Sequence, residues 1–356
     1  MMSSGHFSFL IYTACLIALL AGQPGHVLMA RPPDLDHNKL NHHPSKIIRS
    51  CCVFGTDLRL GFIPFLRRTD IISKHELGQH QYLGNRNEGN GIIYTTRGGF
   101  IDVAHLRDIA DWTGYLYNLI TARDSTSDGI AYDLGIEGGE KTLTLHLPST
   151  LDQHSTVELA GLIAYEISVW HEIASWFGIS YLPLIPERYS SFSPEDLYSN
   201  LMGVHLGMRA IQSDLPYNEA MTTLISSMLD SLGAVETAND TYLAMKKVEG
   251  IWWSNSHPLP SRKILLSRYV ETDDILLPWR LIEDNESSIA YPLEKPARHL
   301  KDAFELNITV RWPYFQRTEA CLNSRKTITQ NDFGELISCI SDQVRNLTEN
   351  SIQRKK

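Results

Sequence analysis

Two His-Glu pairs in the sequence invite a metalloprotease reading, and the spacing rejects it in both. A zincin needs His-Glu-x-x-His, because residues four apart on a helix present both rings to one metal. In the run His75-Glu76-Leu77-Gly78-Gln79-His80 the second histidine comes one position late, about 140° round a helix from the first. In His171-Glu172-Ile173-Ala174-Ser175 a serine stands where the second ring belongs. More chemistry lies on the helix faces. Asp102 and His105 are three apart, side by side on a face continued by Ile109, Trp112 and Leu116. Glu166 falls among Leu162, Ile163, Trp170 and Ile173, and His171 among Ala160, Ala164, Ile167 and Ala174. On a third helix Asn200, Gly203 and Gly207 form a small-residue face that lets another helix come close. Burying a carboxylate or an imidazole unpaired costs several kcal/mol, so polar groups from three helices are expected to converge.

Three chemistries fit such a convergence. In the first, Asp102, His105 and His171 hold a divalent metal, with Glu172 or Glu166 as the catalytic base; His and carboxylate donors suit zinc or iron, and an open position activates water for hydrolysis. In the second, the same residues form a satisfied hydrogen-bond network that fixes helix packing in a noncatalytic binding or structural protein. The third is a thiol hydrolase or acyltransferase, with Cys52 as nucleophile and His75, His80 or His105 as base. No Gly-x-Ser-x-Gly elbow and no phosphate-binding glycine loop occurs, which argues against nucleotide-dependent chemistry. Arg97, ahead of Gly98-Gly99, either offers its guanidinium to an anion or pairs with Asp102 or Asp108. Trp170 and Trp176 suit a core or a sugar-stacking wall.

The elements that must position these groups are mostly helical. Ile101, His105, Ile109, Trp112 and Leu116 recur at helical spacing. Ser155-Thr156-Val157-Glu158 reads as a capping box opening a helix that ends at Gly178. A third helix is predicted from Ser193, with Pro194 in its first turn and Asp196 three residues past the cap. Further helices are expected over 217–232, 239–249 and 332–344. Asn90-Gly91 precedes a strand closed by Gly98-Gly99, and residues 129–136 and 141–147 flank a Glu-Gly-Gly-Glu turn as a hairpin. In its second strand Leu143, Leu145 and Leu147 alternate with Thr142, Thr144 and His146, one face in and one out. The expected fold class is α+β, predominantly helical, as a single globular domain over residues 50–356 with a small β-hairpin or sheet element.

The first thirty residues contain no Lys, Arg, Asp or Glu. Their apolar run, Phe7 to Leu20, is too short to span a bilayer comfortably and exits through small residues, as in a secretory signal peptide without the usual basic start. Residues 31–49, rich in Pro, Asn and His, are expected to be a flexible tether. The location that follows is periplasmic or secreted, with an envelope component or substrate as partner and no transmembrane segment beyond the signal. Four cysteines follow the signal, and in an oxidising compartment Cys51 and Cys52 are expected to staple the start of the domain to Cys321 and Cys339. A net charge of −9 argues against a nucleic-acid partner.

Four strings carry a resemblance: Arg49–Gly55 (RSCCVFG), Asn90–Asp108 (NGIIYTTRGGFIDVAHLRD), Trp170–Gly178 (WHEIASWFG) and Phe192–Asn200 (FSPEDLYSN). They resemble a bacterial exported family known as domain of unknown function 4056, across most of the chain after Arg49. The resemblance implies an envelope location and a single large domain, and brings no activity with it.

Overall fold

A computed structural model describes residues 71–353 except 123–128, 130, 149–150, 179–187, 189, 257–263, 271–272, 312–317, 320 and 323–324, with positions 44, 49, 54–55, 58–59 and 67–68 before them. The fold is α+β and mainly helical. A first hairpin pairs β1 (Ile92–Thr95) with β2 (Gly99–Asp102), and β2 runs straight into helix α1 (Val103–Ala122). The helix therefore opens two residues after Ile101, which the apolar spacing had placed inside it. Asp102 explains the boundary: its Oδ1 accepts from the N–H groups of Ala104 (2.7 Å) and His105 (3.2 Å) and so caps the first turn.

Of the 20 residues of α1, 17 are buried, so this helix lies inside the molecule and each polar residue on it needs an internal partner. Around it pack α2 (Gln153–Trp176), α3 (Asp196–Ile211) and α4 (Tyr217–Ser231). The start of α2 differs from the sequence expectation. Asp152, not Ser155, caps it by accepting from Ser155 N at 2.9 Å, and Glu158 instead faces His154 and His299. Helix α5 (Ala238–Lys247) packs with the first hairpin in a smaller cluster around Phe54, Phe100 and Trp253.

The expected second hairpin forms from β3 (Ala131–Ile136) and β4 (Gly139–Leu145). It is extended by β5 (Phe304–Val310) and β6 (Thr327–Thr329) into an antiparallel sheet of order β6-β5-β4-β3. Leu143, Leu145 and Leu147 are buried and His146 is exposed, as the alternation requires. A short helix α6 (Ile282–Ser287) and the C-terminal α7 (Phe333–Gln353) complete the main elements. Among the described residues no helix is long and apolar enough to cross a membrane.

Cysteine pairing departs from expectation. Cys321 and Cys339 are bonded to each other, while Cys51 and Cys52 lie outside the described residues. The bond joins α7 to the segment after β5 across 18 positions. Chain-entropy arguments give a loop of this size about 3 kcal/mol. The Cys321→Ser/Cys339→Ser double variant is therefore expected to lose about 2–4 kcal/mol of unfolding free energy, measured by urea denaturation. Unfolding at the wild-type midpoint would show that the bond adds no stability.

Candidate metal centre

The site depends on how closely α1 and α3 approach. A Cβ on Gly203 would stand 2.3 Å from the carbonyl oxygen of Leu106, and one on Gly207 would stand 3.0 Å from that of Ala110. The small-residue face on α3 thus does what its composition suggested. On α2, Gly161 likewise faces Met208 and Val204 of α3. Contact at backbone range brings the first turn of α3 against the first turn of α1.

There Asp102, His105 and Asp196 each offer one donor atom, all within 4.8 Å of one another. The three residues are 0%, 6% and 4% exposed. His105 Nδ1 and Asp196 Oδ1 are 2.9 Å apart. Asp196 Oδ2 accepts weakly from Ser193 N (3.3 Å), which leaves Oδ1 to the His105 ring. The buried histidine–carboxylate triad could hold a metal.

Two further carboxylates border it. Glu172 Oε2 accepts from Phe192 N at 2.7 Å, and among the described residues no hydrogen bond reaches its Oε1. Phe192 holds a left-handed backbone at φ +53°, which costs a non-glycine residue about 1–2 kcal/mol. The strained turn aims its N–H at Glu172. Glu195 accepts from the Ser193 hydroxyl, and its Oε1 likewise has no hydrogen bond among the described residues. Burial, reinforced by the negative charge of Asp196, pushes Glu172 up to about 7 and Glu195 well above the ordinary carboxylate range. Burial also raises Asp102. Asp102, Glu172, Glu195 and Asp196 thus bring four buried carboxyl groups into one region. Arg268, a half-buried cation near Glu172 and Asp196, donates to the carbonyls of Ser191 and Arg188 and lies over the Trp176 ring.

His171 stands next to this group, with its ring centroid 5.8 Å from that of His105. Its Nδ1 is 2.7 Å from Glu137 Oε1, while Lys141 Nζ donates to Glu137 Oε2 at 2.6 Å. Burial works against the Glu137 charge, but Lys141 and His171 more than offset it and hold the carboxyl well below its usual range. A carboxylate that fixes one ring nitrogen is the usual support of a ligating histidine.

Of the residues singled out in the sequence, the fold gathers Asp102, His105, His171 and Glu172. Glu166 goes elsewhere: it faces Arg298 at 3.9 Å, with Lys295 as its other positive neighbour. Asp196, Glu195 and Glu137 were missed as site residues. Asp196 read as a helix-start residue and Glu137 as part of a turn; Asp196 and Glu195 lie in the shared string Phe192–Asn200, the signal available for them, whereas Glu137 lies in none of the strings.

The remaining motifs separate. His75 is exposed beside Glu236, whereas His80 is buried with Nε2 3.1 Å from Asp111. Cys52, the thiol candidate, lies outside the described residues, as do His37, His42 and His43. Arg97 donates to the carbonyls of Ile289 and Ser231 and lies over Tyr291, leaving Asp102 and Asp108 aside. Asp108 pairs with Arg49 at 2.8 Å. Trp170 and Trp176 are both core residues, Trp170 stacking on Phe333.

A family model described as "Protein of unknown function (DUF4056)" matches residues 39–281, more than half of the chain, and the protein belongs to that family. The match spans every residue of the buried centre and stops short of the disulfide. No curated protein and no solved structure gives a significant match.

Proposed function

We propose that this DUF4056 protein is an exported envelope protein whose buried centre holds a divalent metal, zinc or iron, and serves as a metal-assisted hydrolase. The observation that carries the reading is the set of donors of Asp102, His105 and Asp196 within 4.8 Å of one another in a buried pocket. His171, steadied by Glu137, stands beside them as a further ligand. The metal would supply an acidified water, its pKa lowered towards about 7. Glu172, pushed up to about 7 by burial and by Asp196, is tuned to take a proton from that water. Glu166 has no part in this assignment. Export is supported by the apolar N-terminal segment and by the Cys321–Cys339 bond, which suits an oxidising compartment.

The noncatalytic alternative, a buried polar network that only fixes packing, is favoured by the Arg49 cluster, where buried charges are densely paired. It does not account for the Glu172 and Glu195 oxygens that no hydrogen bond among the described residues reaches, since a packing network is stable when its members are satisfied. The test is elemental analysis of protein purified without chelators or a His-tag, for wild type, His105→Ala and Asp196→Asn. Bound zinc, iron or manganese in the wild type and its loss from both folded variants is expected. A wild type that takes up none of these ions after reloading would overturn the reading.

A further inference from the structure

We propose that the Cys321–Cys339 bond is a site of thiol–disulfide exchange, at which a dithiol reductant attacks Cys339 and Cys321 leaves as a thiolate held by Gln343. The proposal is independent of the metal reading.

The first argument is access. Exchange begins when a thiolate reaches one sulfur of the pair. Cys321 is 5% exposed, whereas Cys339, on α7, is half-buried and is the residue an external thiol reaches more readily. Attack at Cys339 makes Cys321 the leaving sulfur.

The second argument is what awaits that sulfur. Gln343, one turn beyond Cys339 on α7, donates from Nε2 to Cys321 Sγ at 3.3 Å and, more distantly, to Cys339 Sγ at 3.7 Å. A donor to sulfur favours the thiolate over the thiol, and a more stable leaving thiolate speeds exchange. The closer of the two contacts goes to the sulfur that must carry the charge.

The third argument is that the donor is held in place. Trp176 Nε1 donates to Gln343 Oε1 at 2.9 Å. An indole N–H only donates, so it fixes the carboxamide with its oxygen toward the ring and its NH₂ toward the sulfurs. Trp176 is buried at the end of α2 and acts as a positioning residue.

In the step, a thiolate of the reductant bonds to Cys339 Sγ as the Cys321–Cys339 bond breaks, and Cys321 takes up the proton that the reductant's thiol gave up. The second thiol of the reductant then displaces Cys339 from the mixed disulfide. Two electrons and two protons pass to the protein, which holds two thiols, and the reductant is left as a disulfide. Phe333, Leu336 and Ile340 give α7 an apolar anchorage that the cut does not touch.

The experiment is reduction of the full chain by dithiothreitol in native buffer, with the unfolding rate measured in parallel. Alkylation and peptide mass spectrometry time the reaction and separate this pair from Cys51 and Cys52. Wild type is expected to be reduced faster than it unfolds, and an acid-quenched glutathione pulse to leave its adduct on Cys339. Gln343→Glu, nearly isosteric, keeps the acceptor for Trp176 and removes the donor. It is expected to be reduced about tenfold more slowly, the low end for a hydrogen bond to a charged group. Gln343→Leu, which brings no charge, is expected to slow reduction in the same sense, and urea midpoints show that both variants are folded. Reduction no faster than unfolding, an adduct on Cys321, or variants reduced as fast as wild type or faster would each overturn the proposal and leave a bond that only ties α7 to the chain.

Discussion

Replacing Arg49 with methionine is expected to cost about 3–5 kcal/mol of unfolding free energy at neutral pH, the range for breaking a buried ion pair from one side. Arg49 is 3% exposed. Its guanidinium donates to both oxygens of Glu88 (2.6 and 2.9 Å), to Asp108 (2.8 Å), to Asp111 (3.0 Å) and to the carbonyl of Gln81 (3.0 Å). The side chains of Glu88 and Asp111 are fully buried, so water cannot replace what methionine removes. His80 beside Asp111, and Arg107 at 4.0 Å from Glu88, keep only part of the compensation. Arg107 is in any case committed to the carbonyls of Leu77 and Gly89.

The same variant predicts a pH signature. Burial acts to raise Glu88 and Asp111, but Arg49, with His80 for Asp111, outweighs it and holds both below the ordinary carboxylate value. A depressed folded value means stability that is present above the unfolded pKa of about 4 and lost as pH falls through the folded one. Without Arg49 burial wins and the carboxylates rise. The variant then loses stability as pH climbs from the unfolded value through the raised one. The gap between wild type and Arg49→Met should be largest at pH 7 and above and should narrow toward pH 4.5. Urea midpoints at the two pH values measure it, and a small, pH-independent gap would refute the account.

Arg49 also marks how far the sequence could be read. It was the last residue of the expected tether, because a lone arginine after prolines and histidines gives no sign of carboxylates 39 to 62 positions away. Residues close in the chain fared better. Asp102 and His105 share a turn, and alternation along β4 placed its leucines inward. The glycines of α3 announced a close neighbour without naming it. Glu166 was misplaced for a different reason: 19 of the 24 residues of α2 are buried, so periodicity does not say which buried face meets the site. Asp196 was hidden by a local explanation. An acidic residue in a helix's first turn needs no distant partner, and Asp196 does accept from Ser193 while its other oxygen faces His105. The disulfide was unreadable because spacing does not determine pairing.

Gly203→Val is expected to lose about 3 kcal/mol or more, at or above the top of the usual range for overpacking, and to weaken metal binding. The nearest atoms to a Cβ at this position are all Leu106 backbone: the carbonyl oxygen at 2.3 Å, its carbon at 3.0 Å and the Cα at 3.1 Å. Backbone cannot turn aside as a side chain can, so α1 and α3 must separate or tilt. Leu106 directly follows His105, and Gly203 lies two turns along α3 from Asp196. The displacement is therefore carried to the 2.9 Å approach of those two residues. Metal sites tolerate errors of only about 0.2 Å in ligand distance. A loss of roughly 10–100-fold in affinity, the range for displaced supporting groups, is expected. Gly334→Ala on α7 is the control, because nothing lies within 4 Å of the added Cβ. It should leave metal binding intact and change stability by about 1 kcal/mol or less, in the stabilising direction. Thermal melts and competitive zinc titrations separate the two positions. A Gly203→Val protein that melts and binds metal like the wild type would mean that the close crossing of α1 and α3 does not set the geometry of the centre.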